Sequence, residues 1–167
     1  MLENLLDLSG IGRGRIQLRW VSAAEGQIFA NYITELTADL AQLGPFDASK
    51  FSIELSAVER VLNSSRVRWL SGMDRQITER ENVYHEKLDE AAYEQLLQSI
   101  CKTEYQKALI LESLGSGPQS VREISAKSGL AVQTVSERLT DVEKAGAVEL
   151  HGYEGSTPRF SRLLNTL

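Results

Sequence analysis

The chain has one cysteine, Cys101, and two histidines, His85 and His151, in 167 residues. A disulfide framework is therefore excluded, and so is a cysteine-rich zinc or iron–sulfur site built by these residues alone. Any redox chemistry the protein serves is expected to be borrowed from elsewhere. No run approaches the roughly 20 apolar residues of a membrane span, so no membrane partner is expected. No charged-then-apolar leader opens the sequence, and the expected location is cytoplasmic. A basic excess is also missing. Residues 1–48 carry three basic and six acidic groups, residues 49–99 seven and nine, and residues 100–167 eight of each. Nucleic-acid affinity draws on clustered Lys and Arg, so this balance speaks against a strong DNA binder. What is present is an ordinary apolar share, 42%, with a net charge of −5. That composition supports one domain or two small ones with a buried core, and is unlike that of a disordered chain.

The first stretch reads as a helix end, a turn, a strand and a long helix. Ile16-Gln17-Leu18-Arg19-Trp20-Val21 alternates apolar and polar until Val21, the period of a strand. Ser22-Ala23-Ala24-Glu25 fits a capping box. Phe29, Ile33, Leu36, Leu40 and Leu43 then recur at helical spacing, and Gly44-Pro45 stops the helix. A single strand leaves its backbone donors and acceptors unpaired on both edges. The segment is thus expected to pair with a partner chain, with its own copy in a homodimer, or with residues outside this sequence. Trp20 lies either at that interface or beneath the long helix.

The residues Gly10-Ile11, the run from Arg15 to Gly26, Phe29-Ala30 and Leu43-Gly44-Pro45 carry a resemblance. Over about residues 1–46 the chain resembles the C-terminal end of the delta subunit of methyl-viologen-reducing hydrogenase. The resemblance implies a place in an electron-transfer assembly that passes electrons from a hydrogenase or formate dehydrogenase to the flavin subunit of heterodisulfide reductase. It implies iron–sulfur or flavin subunits as partners, and a partner interface at Trp20, Ser22, Glu25 and Gly26. The family's cluster-binding cysteines lie upstream of the matching segment. An iron–sulfur cluster is therefore expected in a partner or in a missing N-terminal part, none is expected on this chain, and Cys101 inherits no ligand role.

Residues 47–100 read as a helical connector. Phe51, Leu55, Val58 and Leu62 form one stripe, broken at Asn63-Ser64-Ser65. Val67, Leu70, Met73 and Ile77 form a second, with Trp69 beside it and Gly72 weakening its middle. A polar bend follows around Arg80-Glu81-Asn82. Asp89 is placed to cap a third helix facing Tyr93, Leu96, Leu97 and Ile100 inward.

Residues 101–167 read as a separate domain. A helix bearing Tyr105, Ala108, Leu109, Leu111 and Leu114 ends at Gly115-Ser116-Gly117-Pro118. Ser120 and Glu123 form a capping box over a short helix with Val121 and Ile124 inward. Gly129 turns the chain into a helix with Val132, Val135, Leu139 and Val142 inward, closed by Gly146. Val148 and Leu150 begin a strand, Gly152 to Gly155 a turn, and Phe160 to Leu164 a returning strand. This pattern resembles a winged helix.

Fold alone does not give function. On the second helix of the helix-turn-helix, Gln133, Thr134, Glu137, Asp141 and Lys144 point outward. Gln133 and Thr134 are the candidate base readers, and Arg122, Lys127, Arg138, Arg159 and Arg162 the candidate phosphate or partner contacts. Two carboxylates on the same face disfavour DNA. Gly10-Ile11-Gly12-Arg13-Gly14 lacks the spacing of a dinucleotide loop and reads as a turn, with Arg13 and Arg15 solvated. Cys101 reads as a small half-buried residue, and a redox-sensing thiol is the alternative. His85 and His151 read as surface residues, and no catalytic constellation appears.

The expected fold is mainly α: a strand, a long helix and a helical connector, then a C-terminal winged helix with a two-stranded wing. The expected function is that of a non-catalytic accessory component, docking a hydrogenase or formate dehydrogenase onto a heterodisulfide-reductase-type flavoprotein. The alternative is a winged-helix transcriptional regulator, redox-linked, that uses the same winged helix on DNA.

Overall fold

The computed structural model describes residues 1–163; Leu164, assigned above to the returning strand, lies outside them. Among the described residues, eight α-helices and one hairpin follow in order: α1 (Leu2–Leu8), α2 (Gly26–Leu43), α3 (Ser52–Asn63), α4 (Ser65–Gly72), α5 (Asp74–Thr78), α6 (Glu90–Ser113), α7 (Val121–Ser128), α8 (Val132–Lys144), β1 (Val148–Glu154) and β2 (Thr157–Arg162). The structure is mainly helical, with one two-stranded antiparallel sheet at its C-terminal end.

Helix α6 organises the molecule. Asp89 starts it, its carboxylate accepting from the Ala92 amide at 2.7 Å. It continues for 24 residues, so the two helices expected on either side of residue 100 are one. The reason lies in the junction itself: Cys101-Lys102-Thr103-Glu104 contains neither Gly nor Pro, and nothing there interrupts the hydrogen-bond ladder.

One face of α6 presents Cys101, Tyr105, Ala108 and Leu109 to Leu5 of α1, Ala57, Val58 and Val61 of α3, and Val67 of α4. Its C-terminal end presents Ile110, and Leu114 follows it. Both pack against Ile124 of α7, Val135, Leu139 and Val142 of α8, and Ala147 and Val148. Two apolar clusters thus share one spine, and Leu130 packs at the edge of both. The stripe expected on α3 is shifted by about one residue: Ala57 and Val61 are buried with Val58, while Leu55 and Leu62 are half-buried. The second connector stripe is cut at Met73, where Gly72 ends α4, and Ile77 belongs to the separate α5.

The capping box at Ser120 and Glu123 forms in full. Gly129 adopts the left-handed conformation, φ 69°, that ends α7 at no steric cost. Val132, expected inward, is instead half exposed at the start of α8. In the hairpin, β1 continues through Gly152 to Glu154, and the turn falls at Gly155-Ser156. A bulge between Leu150 and Gly152 leaves His151 unpaired in the register, which re-aims the rest of β1. The returning strand accordingly begins at Thr157, earlier than Phe160. Gln119 and Phe160 exchange two backbone hydrogen bonds, 2.9 and 2.8 Å, tying the hairpin to the start of α7.

The N-terminal segment departs most from expectation. Residues 16–21 form no strand. Extended backbone becomes a strand only when a neighbour takes up its N–H and C=O groups. Among the described residues, none of residues 17–21 makes a backbone–backbone hydrogen bond. The capping box expected at Ser22 forms in half. The Glu25 carboxylate accepts from the Ser22 amide at 2.8 Å, while the Ser22 hydroxyl faces the Ala24 amide and α2 begins at Gly26. Gly44, φ 69°, stops α2 as expected. Helix α2 contains no buried residue, although its apolar periodicity is that of a core helix.

Candidate functional site

Residues 13–20 run back along α2 from its C-terminal end. Arg15 donates to the carbonyls of Gly44 and Leu43, at 3.1 and 3.2 Å, and its guanidinium lies 5.2 Å from the Phe46 ring centre. These carbonyls are two of the acceptors a helix leaves unsatisfied at its end, so Arg15 caps α2 from a distance. Two residues on, Gln17 donates to Asp39 at 3.0 Å. Two further, Arg19 lies 5.1 Å from the Tyr32 ring centre. Phe46 in turn stacks on Phe51, with ring centres 5.6 Å apart.

This alternation has a direct consequence. The odd-numbered side chains face α2, and the even-numbered ones, Ile16, Leu18 and Trp20, are turned to solvent. Leu18 is 74% exposed and Trp20 87%. The alternative placement of Trp20, packed under the long helix, is thereby overturned. Phe29 and Ile33 of α2 are exposed as well, at 56% and 46%. Scattered exposed apolar residues are ordinary, but a run of them within one short stretch of chain marks an interaction surface. Of the family-like interface residues, Trp20 stands free, Ser22 and Glu25 are occupied with each other, and Gly26 begins α2.

Arg13 is paired yet largely exposed to solvent, as expected, while Arg15 is half-buried against the end of α2. Arg13 pairs with Asp7 and donates its backbone amide to the same carboxylate at 2.9 Å. The Arg13 side chain holds Asp7 below the usual carboxylate range. Gly10 and Gly12, both with positive φ, shape this turn between α1 and the extended segment.

The C-terminal candidates are mostly engaged within the chain. Arg138 donates to Gln106 at 3.1 Å and pairs with Asp141 at 2.8 Å, so Asp141 is not a free outward charge. Arg159 is held by Glu123 and Glu154. Arg162 lies 3.5 Å from Glu112, and Lys127 donates to the Ser116 hydroxyl at 2.6 Å. Gln133 donates to Glu137 at 3.1 Å, and Thr134 is half-buried. Arg122 is exposed without an ion pair among the described residues. No sequence pattern signals the Arg159 pairing, because Glu123 and Arg159 are 36 positions apart.

Cys101 is fully buried, not half-buried, and burial pushes its thiol up from the ordinary value. A protonated thiol in an apolar core is a poor nucleophile and a poor metal ligand. Among the described residues, no three His, Cys, Asp or Glu side chains are placed to hold a metal ion. The residues present therefore do not fit an iron–sulfur cluster. His85, the one non-glycine among the described residues with positive φ, lies 3.2 Å from Glu81 on an exposed bend. An open cleft of about 1230 Å³ lies beside that bend, between α4, α5 and α6, lined by Trp69, Ile77 and Leu96 among others. No helix among the described residues is long and apolar enough to cross a membrane.

Comparison with known proteins bears on the N-terminal segment. Residues 1–44 match the model of a family described as methyl-viologen-reducing hydrogenase, delta subunit. The chain is also 44% identical over 46 residues to an iron-sulfur subunit of the F420-non-reducing hydrogenase of Archaeoglobus profundus. That alignment covers 28% of this chain and 34% of the relative, so the chain spans about a third of the relative's length. No solved structure matches the chain. The matched segment includes the exposed Leu18 and Trp20 as well as the buried Leu5 of α1.

Proposed function

We propose that this chain is a non-catalytic docking component of a hydrogenase-associated electron-transfer complex. The observation that carries this reading is the family similarity of a segment that includes exposed apolar side chains. The residues similar to a hydrogenase iron–sulfur subunit, 1–44, contain the face around Trp20 that the rest of this chain leaves uncovered. The cluster is placed on a partner, and this chain contributes binding surface. The partners are iron–sulfur or flavin subunits, and the acceptor is a flavoprotein of the heterodisulfide-reductase type. A homodimer is compatible with this reading, and the setting is cytoplasmic.

In this reading the chain divides into a delta-subunit-like segment, 1–46, a helical connector, 47–100, and a winged helix, 101–167, with α6 running through the last two. The helix-turn-helix of α7 and α8 and the hairpin that follows support the winged-helix assignment. Protein docking is favoured over DNA for this part, because Arg138 and Arg159 are already spent on acidic and amide groups of the chain. Neutralising phosphates would first require breaking those pairs.

Affinity purification of the tagged 167-residue chain from its own cells tests the proposal. Stoichiometric co-elution of hydrogenase and iron–sulfur subunits, with visible cluster absorbance, is the expected result. A chain that elutes free of such subunits and shifts a DNA duplex in a salt-sensitive manner would overturn it.

A further inference from the structure

We propose that the open cleft between α4, α5 and α6 binds a small anionic amphiphile of the fatty-acid type, with an aliphatic body and one anionic head. None of the residues that line it belongs to the matched segment 1–44, so the site stands independently of the function proposed above. Its apolar lining and its unpaired cations carry the proposal.

The lining accounts for the body. Trp69 and Leu70 come from α4, Ile77 from α5, and Leu96 and Ile100 from α6, while Leu88 lies on the segment that leads into α6. Three helices thus bring apolar side chains to one concave surface, which separates a site from singly scattered exposed residues. Leu70 is buried, Ile77 and Ile100 are half-buried, and Trp69 is still 60% exposed. A hydrocarbon chain laid along them removes the exposed part from water. Trp69 is the one aromatic residue in the lining, and the other apolar residues are Leu, Ile and Val, which suits a chain rather than a stack of rings. The cleft measures about 1230 Å³. Small-molecule sites occupy about 300–1,000 Å³, so a ligand of about ten carbons fits with water beside it.

The bend after α5 supplies partners for the head. The Leu88 amide donates to the Ile77 carbonyl at 3.1 Å, and the Asn82 amide to the Glu86 carbonyl at 2.8 Å. Arg80 and Lys87 therefore sit on opposite legs of a tied loop, and both line the cleft. Neither has an ion pair among the described residues. Arg66, the third cation of the lining, is turned to Glu104 at 3.3 Å. The two lining carboxylates are engaged on the bend itself: Glu81 lies 3.2 Å from His85, and Glu86 accepts from the Asn82 side chain at 3.4 Å.

These charges also set what the head must be. A polyanion such as nucleic acid would meet Glu81 and Glu86 as well as the cations, whereas a single carboxylate or phosphate monoester is matched by Arg80 and Lys87 together. An inorganic anion would leave the apolar lining in water, and an uncharged hydrocarbon would make no use of the two cations.

Isothermal titration calorimetry of the 167-residue chain with monomeric decanoate tests the proposal. One saturable site is expected, with affinity rising about four-fold per methylene from octanoate to decanoate, as for methylenes removed from water. Decyltrimethylammonium, with the same chain and the opposite charge, should bind at least about five-fold more weakly. Arg80→Glu/Lys87→Glu should reverse that preference, and Trp69→Ala should weaken decanoate binding by about ten-fold. All three positions are exposed, so the variants should keep the wild-type helix content, and circular dichroism checks this. In a Trp20→Phe chain, whose remaining tryptophan is Trp69, decanoate should shift the emission. Absence of saturable binding, no preference for the anion, affinity independent of chain length, or affinity untouched by the variants would each overturn the proposal. So would binding confined to phosphatidylglycerol vesicles, since the ligand would then be a membrane surface rather than a free molecule. Charge preference and chain-length dependence are read on the wild-type chain, so they decide the matter even where a variant fails to fold.

Discussion

The guanidinium of Arg60 on α3 donates to the carboxylate of Glu112 on α6, 52 positions later in the chain, at 2.8 Å. Glu112 also lies 3.5 Å from Arg162 on β2. One carboxylate thus joins the connector helix, the spine and the hairpin. The side chains of Arg60 and Glu112 are only 28% and 19% exposed, so the pair is partly shielded from water. Replacing Glu112 with Gln leaves two arginines without their acceptor charge. The expected loss is about 1–2 kcal/mol, discounted from fully buried pairs for the remaining solvent. Urea unfolding of the variant against the wild type measures it.

Apolar substitutions should divide sharply by location. Ile124 is fully buried in the cluster shared by α6, α7 and α8. Ile124→Ala removes its packing and leaves a cavity, for an expected cost of about 2–5 kcal/mol. Trp20→Ala, although a larger truncation, is expected to change stability by less than about 0.5 kcal/mol, because Trp20 is already in water. Thermal or urea unfolding of the two variants side by side gives both numbers.

Acid should loosen the N-terminus of α7. Hydrogen bonds from the Ser120 amide and hydroxyl, and then from Arg159, lower the Glu123 carboxyl from 4.5 to about 2. A group whose folded pKa is depressed stabilises the fold fully above its unfolded value. That contribution fades as pH falls from about 4.5 towards 2. Wild-type stability should therefore decline over this window, and Glu123→Gln should show a shallower decline there. Ser120→Ala removes the hydroxyl half of the box, at an expected cost of about 1 kcal/mol at neutral pH. Unfolding curves between about pH 2 and 7 check all three.

The Cys101 thiol should be silent in the native protein. It is buried against Tyr105 and Ala108 in the first cluster, and burial raises its pKa. Reaction with a chromogenic disulfide reagent should be slow and should accelerate on addition of denaturant, tracking unfolding. Fast labelling under native conditions would show that α6 opens at its middle.

Local signals were readable in the sequence because local chemistry decides them. The Ser120 box, the Asp89 cap and the stops at Gly44 and Gly129 each depend on residues within a few positions, and all formed. The continuity of α6 was obscured by a change in composition near residue 100 that carries no helix-breaking residue. Distant pairings could not be read: Arg15 finds its acceptors 28 and 29 positions away, and Arg159 finds Glu123 at 36. Residues 16–21 show where pattern and structure part. Their alternation is plain, yet a strand is a property of two neighbouring segments, and among the described residues no second segment pairs with this one. For the same reason Trp20 could be marked as an interface candidate, while the way Arg15, Gln17 and Arg19 turn it outward emerged only in three dimensions.

Amide hydrogen exchange on the 167-residue chain in isolation probes the central relationship most directly. Residues 17–21 should exchange at the rate of an unstructured peptide, because no backbone carbonyl among the described residues receives their N–H groups. Amides in the middle of α6, such as those of Tyr105 and Leu109, should be protected up to the stability of the whole fold. Strong protection of residues 17–21 in the lone chain would mean that the segment is satisfied from within, and the account of a face waiting for a redox partner would fail.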